Sequence, residues 1–316
     1  MKTYVVALGG NAILKKGEEG NIKQQFANTR ASLDGVVKLL RDGCRLVITH
    51  GNGPVVGNIL IRVEEGSKKG IPRMPLGICV ADSQGGIGYM LQQCLQNRLI
   101  DEKIEKCVAT VITQVLVDKD DPCVSDPTKP VGPFYKDDEL ERIRHENPLW
   151  VLKEDAGRGH RRVVPSPFPL DIIEKRSIKK ILEDGFVVIA AGGGGIPVYL
   201  DENGKYEGFD AVIDKDLASY VLGREIKADS LVIVTGVDGV YKDFGTDKQE
   251  LIREMSVDEM MGLHDKEYFP KGSMAPKVQA ACMFVESGGK EAIITSIERF
   301  NDALDGKSGT RIIKMR

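Results

Sequence analysis

Three ionisable side chains stand together in AVIDKDLAS (211–219), where an apolar run gives way to a helical pattern. Asp214, Lys215 and Asp216 would lie in the first turn of a helix that continues through LASYVL. Acidic residues near a helix start interact favourably with the helix dipole, so a simple charged turn is one interpretation. A lysine supported by carboxylates also keeps its charge when it is partly buried, which makes it a fixed cation suited to phosphate chemistry.

Four glycine-rich segments follow apolar runs: LGGNA (8–12), HGNGP (50–54), AGGGGIP (191–197) and TGVDGVY (235–241). Glycine lets backbone N–H groups approach an anion closely, and a following helix N-terminus adds a favourable partial charge. Any one of these segments could be a plain tight turn. Several of them at one edge of a sheet indicate a phosphate-rich substrate.

Two common nucleotide-binding signatures do not fit these segments. GNGPVVG (51–57) has Val56 where GxGxxG requires glycine, and GGGGIPV also departs from that pattern. GKS at 306–308 lacks the first glycine of a P-loop, because Asn301 stands there. The sequence therefore argues against both a Rossmann dehydrogenase and a P-loop kinase.

The elements that must position these residues alternate along the chain. The runs LVIT, VVIAA and AIIT are apolar throughout, as expected of strands that are covered on both faces. Further candidate strands are TYVVAL (3–8), CVATVITQV (107–115) and SLVIVTGV (230–237). One helix is predicted before the first LVIT run, from the spacing of Ile22, Phe26, Leu33, Val36, Val37 and Leu40. Strands that alternate with helices predict an α/β fold with a parallel sheet and helices on both faces. Ligands of such sheets gather at the carboxyl ends of the strands, where the glycine segments fall.

Residues 118–170 depart from this alternation and hold eight of the fourteen prolines. A long proline-rich excursion inside a compact α/β domain is usually either disordered or functional. Trp150, Phe134, Tyr135 and Phe168 provide apolar anchors. We therefore predict a folded protrusion over the strand ends, which could be a functional lid or a structural decoration.

Composition excludes several classes of protein. The 316 residues are 41% apolar and 29% charged with a net charge of -3, and the chain has no basic block, which argues against nucleic-acid binding. No stretch approaches membrane-spanning length, and the N-terminus lacks the layout of a signal peptide. Six scattered cysteines argue against a disulfide framework or structural zinc, and Cys79 and Cys107 are predicted to be small core residues. A cytoplasmic location fits these features.

Taken together, the segments resemble the carbamate kinases of the amino-acid-kinase superfamily, over essentially the whole chain. The motifs that carry the resemblance are ALGGNAIL, THGNGPxVGN (49–58), SQGxIGY (83–89), DPTKPVGPFY (126–135), EDAGRG (154–159), VVPSPxPL (163–170), GGGGIPV (192–198), DAVIDKDLAS (210–219), GSMxPKV (272–278) and GTRII (309–313). Two departures are Val55, where the family usually has glutamine, and Asp82, within the segment that commonly reads AMSQG. A third is YFPKGSMAPK, which differs from the usual AxGSMxPK lead-in at Pro270 and Lys271. Val55 would remove a polar side chain near the substrate loop.

The resemblance implies a three-layer αβα sandwich with a mainly parallel central sheet, the amino-acid-kinase fold, and a small protruding subdomain. Residues 1–316 would form a single domain. An N-lobe of about 1–213 would carry the carbamate and phosphoryl site, and a C-lobe of about 214–316 would bind the nucleotide. The subdomain, about 118–170, would act as a lid, and the protein would be a homodimer.

The resemblance also implies roles for individual residues. Lys215 and Lys277 would neutralise charge on the transferring phosphoryl group, and Asp216 would hold both lysines in place. Lys129 would reach from the lid to the carbamate. The implied substrate-binding residues are Gly9, Gly10, Asn11, Gly51, Asn52 and Gly53. The implied nucleotide-binding residues are Asp214, Thr235, Gly236, Val237, Asp238, Tyr241 and Met274.

The implied reaction is ATP + carbamate ⇌ ADP + carbamoyl phosphate, which the family generally runs toward ATP in arginine fermentation. Mg²⁺ would accompany ATP or ADP, held mostly by phosphate oxygens and water rather than by a protein metal site. Three alternatives stay open: another amino-acid kinase acting on acetylglutamate, glutamate or UMP, a non-catalytic regulatory protein, and a biosynthetic relative that makes carbamoyl phosphate.

Overall fold

The computed structural model describes residues 1–15, 17–155, 157–270 and 272–315, so Ala156 of the EDAGRG motif lies outside the described residues. The strands are β1 (Thr3–Leu8), β2 (Arg45–His50), β3 (Val108–Thr110), β4 (Gln114–Leu116), β5 (Lys129–Tyr135), β6 (Val151–Glu154), β7 (His160–Val164), β8 (Asp171–Ile172), β9 (Val187–Ile189), β10 (Ile196–Leu200), β11 (Tyr206–Gly208), β12 (Ser230–Thr235), β13 (Tyr241–Lys242), β14 (Glu250–Leu251), β15 (Glu254–Ser256), β16 (Glu291–Ser296) and β17 (Thr310–Ile313). The α-helices are α1 (Ile22–Ala31), α2 (Asp34–Arg41), α3 (Val55–Ser67), α4 (Leu76–Asp101), α5 (Leu140–Glu146), α6 (Lys175–Glu183), α7 (Lys215–Ile226), α8 (Val257–Asp265), α9 (Met274–Glu286) and α10 (Phe300–Leu304). None of the described helices combines the length and the apolar composition of a membrane-spanning segment.

An eight-stranded sheet runs through the centre of the structure in the order β15-β17-β16-β12-β1-β2-β9-β3. Neighbouring strands are parallel in every pair except β16 and β17, which are antiparallel. The predicted mainly parallel sheet is therefore confirmed. The strands β1, β2, β12 and β16 lie where the apolar runs predicted them.

Successive residues of β1 face opposite sides of this sheet. Val5 and Ala7 belong to a buried apolar cluster that includes residues of α6, α7, α8 and α9. Tyr4, Val6 and Leu8 belong to a second cluster, which includes residues of α2, α4 and α10. Because side chains alternate along an extended strand, a run that is apolar throughout must be covered on both faces. This arrangement confirms the three-layer αβα sandwich.

The proline-rich segment 118–170 folds as a small antiparallel sheet in the order β5-β7-β6, accompanied by α5. Pro130 is tolerated because β5 is an edge strand, and Gly132 has a φ of 73° near the point where the β5–β7 register shifts. Val131 packs against Leu60 of α3 in a separate apolar cluster. The segment is thus a folded protrusion that rests on α3.

A second sheet of four strands has the order β11-β10-β4-β8.

The prediction of one strand over 107–115 is wrong, because the segment forms β3 and β4 in two different sheets. The N–H of Val111 still donates to the carbonyl oxygen of Ile189 (2.8 Å), but the N–H of Thr113 donates to the side chain of Gln84 (2.8 Å). Between Val111 and Thr113 the backbone therefore changes its hydrogen-bond partner from β9 to the side chain of Gln84. The apolar composition of the segment does not indicate where such a change occurs. The core prediction holds for Cys79, which is buried, and is wrong for Cys107, which is exposed.

The prediction of one helix over 22–40 is also wrong, because α1 and α2 are separate helices that meet at Ser32. The buried residues of α1 are polar, namely Gln25, Asn28 and Thr29, whereas Ile22 is 64% exposed. The hydroxyl of Thr29 donates to the carbonyl oxygen of Gln25 (2.8 Å), which satisfies it locally. The apolar period therefore holds for α2, whereas in α1 it holds for Phe26, which packs against the same apolar cluster as α2, and fails for Ile22.

Candidate active site

The first turn of α7 places a buried carboxylate between two lysines. Asp214 caps the helix: its Oδ1 accepts hydrogen bonds from the N–H groups of Asp216 (2.9 Å) and Leu217 (3.4 Å). The Asp216 carboxylate accepts one hydrogen bond from Lys215 and one from Lys277 of α9 (2.9 Å). Lys215, Asp216 and Lys277, all predicted to be catalytic, thus form one cluster. Two of them come from α7 and Lys277 comes from α9.

Electrostatics keep Asp216 ionised. Burial by itself raises the pKa of this carboxyl, but the positive charges of Lys215 and Lys277 outweigh burial and hold the pKa below its usual value. The Asp216 side chain is 2% exposed, whereas those of Lys215 and Lys277 are 12% and 17% exposed. The cluster therefore offers two oriented ammonium groups with one net positive charge at the edge of the protein interior.

Two glycine loops lie against Lys215. A Cβ atom on Gly51 would lie 3.3 Å from Cδ of Lys215, closer than most real Cβ contacts, so glycine leaves room for the lysine stem. A Cβ atom on Gly10 would lie 3.4 Å from Cα of Gly53, which shows that the loops after β1 and β2 approach each other closely. The predicted substrate loops and the lysine cluster therefore meet at the carboxyl ends of β1 and β2, as is usual for ligand sites of parallel sheets.

The end of β12 adjoins the same loops. The N–H of Gly9 donates to the carbonyl oxygen of Val234 (2.9 Å), and a Cβ atom on Gly9 would lie 2.8 Å from that oxygen. A Cβ atom on Gly236 would overlap with the side-chain amide of Asn11. The structure therefore brings Thr235 and Gly236 beside the predicted substrate residues Gly9 and Asn11.

The amide of Asn52 is held by two partners. Its Oδ1 accepts a hydrogen bond from the hydroxyl of Ser83 on α4 (2.5 Å), and its Nδ2 donates to the carbonyl oxygen of Gly193 (3.3 Å). These bonds fix which way the amide faces and leave a second N–H on Nδ2 for a ligand. Ser83 and Gly193 were not predicted as site residues, although the motifs SQGxIGY and GGGGIPV contain them.

His50 is a further residue that the sequence analysis did not single out, although HGNGP contains it. It is buried at the end of β2, and its Nδ1–H donates to the carbonyl oxygen of Gly51 (3.0 Å). Burial lowers the pKa of His50 to about 4, the hydrogen bond to Gly51 opposes that change, and the charge of Lys215 adds to it. His50 is therefore neutral at pH 7 and supports the backbone of the loop at Gly51.

Lys129 reaches the cluster from the protruding subdomain. It begins β5, and its Nζ lies 3.9 Å from Oδ2 of Asp214, with 41% of its side chain exposed. The subdomain also contacts the segment before α7, because Arg162 pairs with Asp210 and the N–H of Val212 donates to the carbonyl oxygen of Pro165 (3.0 Å). All four predicted catalytic residues therefore lie around the start of α7.

The remaining predicted nucleotide residues are spread more widely. Asp238 accepts a hydrogen bond from the hydroxyl of Ser296 (2.8 Å), and the Tyr241 ring packs 5.9 Å from that of Phe244. Met274 is the first residue of α9, the helix that carries Lys277, and Val237 is half-buried after β12. These contacts do not test nucleotide binding, so the roles of Asp238, Tyr241, Met274 and Val237 stay predictions.

Two of the departures from the family pattern lie on α3 and α4, whereas Lys271, part of the third, lies outside the described residues. Val55 begins α3 and packs as a half-buried residue against the apolar cluster that contains Leu8 and Ile13. Asp82 lies on the exposed face of α4. Replacing a polar residue by Val55 therefore adds apolar contact in this structure and leaves Asn52 held by other partners.

Comparison with known proteins defines the class. The sequence profile of the amino acid kinase family matches residues 2–296. The chain therefore belongs to the amino acid kinase family, and it is a kinase, a phosphotransferase, with the fold of that family.

Among its relatives, the chain is 46% identical to the carbamate kinase of Pyrococcus furiosus, over 99% of each protein. It is 49% identical to a carbamate kinase-like protein of Escherichia coli, over 98% of each protein. Its structure is similar to that of Giardia lamblia carbamate kinase bound to AMP-PNP, with a TM-score of 0.95, 42% identity and 99% coverage of both chains.

Proposed function

We propose that this protein is a carbamate kinase, which transfers a phosphoryl group reversibly between ATP and carbamate to give ADP and carbamoyl phosphate. The observation that carries the proposal is the buried Asp216 carboxylate, which orients Lys215 and Lys277 beside the glycine loops at Gly10 and Gly51. Full-length similarity to carbamate kinases supports the choice of carbamate as the acceptor.

The cluster suits the charge problem of this reaction. Phosphoryl transfer depends on positioning and on neutralising charge more than on covalent help. Carbamate is already an anion, so its oxygen needs no general base to become a nucleophile. Lys215 and Lys277 would neutralise the phosphoryl group between the two substrates, and Lys129 would neutralise the carbamate end. Asp216 would act as a positioning residue, because both of its oxygens are already occupied by lysines.

The backbone would complete the phosphoryl site. The N–H groups of Gly10, Asn11, Asn52 and Gly53 lie at the strand ends, where they can approach phosphate oxygens. Those of Gly9 and Gly51 already donate to the carbonyl oxygens of Val234 and Leu8. The amide of Asn52, held by Ser83 and Gly193, would donate its remaining N–H to the carbamate or the transferring group. These donors would orient the two substrates for in-line transfer.

We propose that ATP or ADP binds in the C-lobe, about 214–316, and that carbamate binds in the N-lobe, about 1–213. The AMP-PNP complex of the Giardia lamblia relative supports an adenine nucleotide. Candidate nucleotide contacts are Asp214, Thr235, Gly236, Val237, Asp238, Tyr241 and Met274. The subdomain of about 118–170 would close over the acceptor side.

Mg²⁺ would enter with the nucleotide. Among the described residues, no group of three or more histidine, cysteine or acidic side chains could hold a metal ion. Asp216 is occupied by lysines, which leaves Asp214 as the acidic residue at the start of α7. These residues fit an ion bound mainly by phosphate oxygens and water, with Asp214 nearby. The bound ion would neutralise charge on the nucleotide phosphates.

We further propose that the protein is a homodimer and that it is cytoplasmic. Its role would be in arginine fermentation, with net flux toward ATP. Ile78 and Tyr89 are exposed apolar residues on the outer face of α4, which makes that face a candidate for the dimer contact. The size of the particle in solution, measured by sedimentation, would test the dimer separately from catalysis.

The deciding experiment measures ATP formation from ADP, Mg²⁺ and carbamoyl phosphate. Acetylglutamyl phosphate replaces carbamoyl phosphate as the phosphoryl donor to ADP in one control, and UDP replaces it in another, because these donors test the alternative family members. Rapid ATP formation that depends on carbamoyl phosphate supports the proposal. Failure to form ATP from carbamoyl phosphate, in a protein that still binds ADP, would instead favour a regulatory protein of the same fold.

A further inference from the structure

A cleft of about 820 Å³ lies beneath the protruding subdomain, and none of the predicted site residues is among those that line it. Its walls come from α3, the start of α4, β5, β10 and β11. The volume is within the usual range of small-molecule sites, about 300–1,000 Å³. Apolar residues that line it include Leu60, Leu76, Val131, Ile196, Val198 and Phe209.

One polar group in this cleft is unsatisfied. The hydroxyl of Tyr135 is buried and has no hydrogen-bond partner in the described part of the chain, and the residue is only 6% exposed. Burial raises the pKa of Tyr135 to about 12, with the charges of Glu64 and Glu139 adding to the effect and those of Arg73 and Arg162 opposing it. Tyr135 itself lines the cleft, together with Glu64, Arg73 and Arg162. A buried hydroxyl without a partner is costly unless a ligand or water supplies one.

The charges around the cleft are balanced. Its charged lining residues are Arg73, Arg162, Glu64 and Asp210. Arg73 pairs with Glu64 (3.0 Å), and Arg162 pairs with Asp210. Both guanidinium groups also lie over the ring of Trp150, at 5.7 Å and 4.5 Å from its centroid. Because each arginine already has a carboxylate partner, the cleft does not offer a strong site for an anion.

We propose that this cleft binds a neutral, mainly apolar small molecule that carries one oxygen able to accept a hydrogen bond from Tyr135. The apolar walls favour removal of the ligand's apolar surface from water, and the hydroxyl selects its polar group. The strand β5 carries Tyr135 at one end and Lys129 at the other. A ligand in the cleft therefore contacts the same strand that presents Lys129 to Asp214.

The neutral ketone dye prodan is a suitable probe, because its carbonyl group accepts hydrogen bonds and its emission rises in apolar surroundings. Trp150 is the single tryptophan of the chain and lines this cleft, so energy transfer from Trp150 reports dye bound in its neighbourhood, and the variants below assign that dye to the cleft. We expect saturable transfer with the full-length protein. Tyr135→Phe should raise the Kd about fivefold, the effect of losing one hydrogen bond. Ser125→Ala removes an exposed hydroxyl of the same subdomain that does not line the cleft, so it is the control and should leave the Kd unchanged.

A second variant fills the cleft. Gly77 and Ile196 both line the cleft, and a Cβ atom on Gly77 would be in van der Waals contact with Ile196 at 3.5 Å, so the larger side chain of Gly77→Leu should extend from that contact into the cleft and abolish saturable transfer. If that variant fails to fold, Gly208→Phe fills the cleft from β11, where a Cβ atom meets open space. Absence of saturable transfer, or equal Kd values in the wild type, Tyr135→Phe and the filled variant, would overturn the proposal. Because the readout is binding, the result does not depend on the kinase activity.

Discussion

The Nζ atom of Lys277 lies 2.9 Å from Oδ2 of Asp216, and this contact joins two helices whose bonded residues are 61 positions apart in the chain. The other carboxylate oxygen accepts a hydrogen bond from Lys215, the neighbour of Asp216 in the sequence. One buried carboxylate therefore sets the position of a lysine from each helix. The predictions below test that arrangement and the groups that surround it.

Asp216→Asn should destabilise the protein and abolish most activity. The variant leaves two lysines close together without the carboxylate that offsets their repulsion, and breaking such a buried pair costs about 3 kcal/mol or more of unfolding free energy. Chemical denaturation measures the change. Asp265→Asn, at an exposed position, is the control and should leave stability nearly unchanged. Equal stability of both variants would show that Asp216 does not hold the lysines.

Lys215→Ala should lower kcat by about 10²–10³-fold, because removal of one oriented donor from a preorganised site has effects of this size. The fold should persist, since Asp216 keeps its bond to Lys277. Steady-state kinetics together with circular dichroism measure the two effects. Lys180→Ala, whose side chain is 71% exposed on α6, serves as the control. A folded Lys215→Ala variant that retains most of its kcat would remove Lys215 from the mechanism.

Lys129→Ala should raise the KM for carbamoyl phosphate about tenfold while changing ADP binding little, because this lysine approaches the cluster from the subdomain. Separate titrations of the two substrates measure the difference. Lys153→Ala removes another lysine of the same subdomain, one that pairs with Asp126 at 2.5 Å, and should leave both values unchanged. Equal weakening of both substrates in Lys129→Ala would indicate collapse of the subdomain instead.

Ser83→Ala should lower kcat about tenfold, because the amide of Asn52 loses the donor that fixes its orientation. The KM for ADP should change little, since Asn52 lies in the proposed carbamate and phosphoryl loop. Ser125→Ala, at an exposed serine whose hydroxyl bonds only locally, is the matched control. A kcat equal to that of the wild type would mean that Gly193 alone orients the amide.

His50 should make stability depend on pH in a defined window. Its folded pKa is about 4, whereas the unperturbed value is 6.5, so the unfolded chain binds more protons between these values. The stabilisation from neutral His50 is complete above pH 6.5 and is lost as the pH falls toward 4. The loss is on the order of 3 kcal/mol. The carboxylate of Asp216 loses its contribution only below its unperturbed value of 3.8, outside this window.

Urea denaturation between pH 7 and pH 4 measures this effect. In His50→Asn the decline of unfolding free energy should be clearly shallower than in the wild type. His145→Asn replaces an exposed histidine of α5 and should keep the wild-type decline. Parallel curves for all three proteins would contradict the assignment of the pH dependence to His50.

Features that depend on near neighbours could be predicted from the sequence. The apolar runs of β1, β2, β12 and β16 lie where expected, because a strand covered on both faces needs apolar residues at successive positions. Glycine segments mark the ends of these strands, and Asp214 caps α7 through bonds two and three residues away. The recognition of a phosphate-binding α/β protein depends on these local patterns.

The tertiary structure decided which distant residues meet. The bond from Lys277 to Asp216 requires α7 and α9 to pack together on one face of the sheet, and the bond from Ser83 to Asn52 requires α4 to pass the loop after β2. The segment 107–115 divides between two sheets for the same reason, since its partners lie elsewhere in the chain. Residue spacing records turns and faces over a few positions, whereas these contacts depend on how whole elements pack. The sequence by itself therefore determined the class of chemistry and its residue types, and only packing decided their geometry.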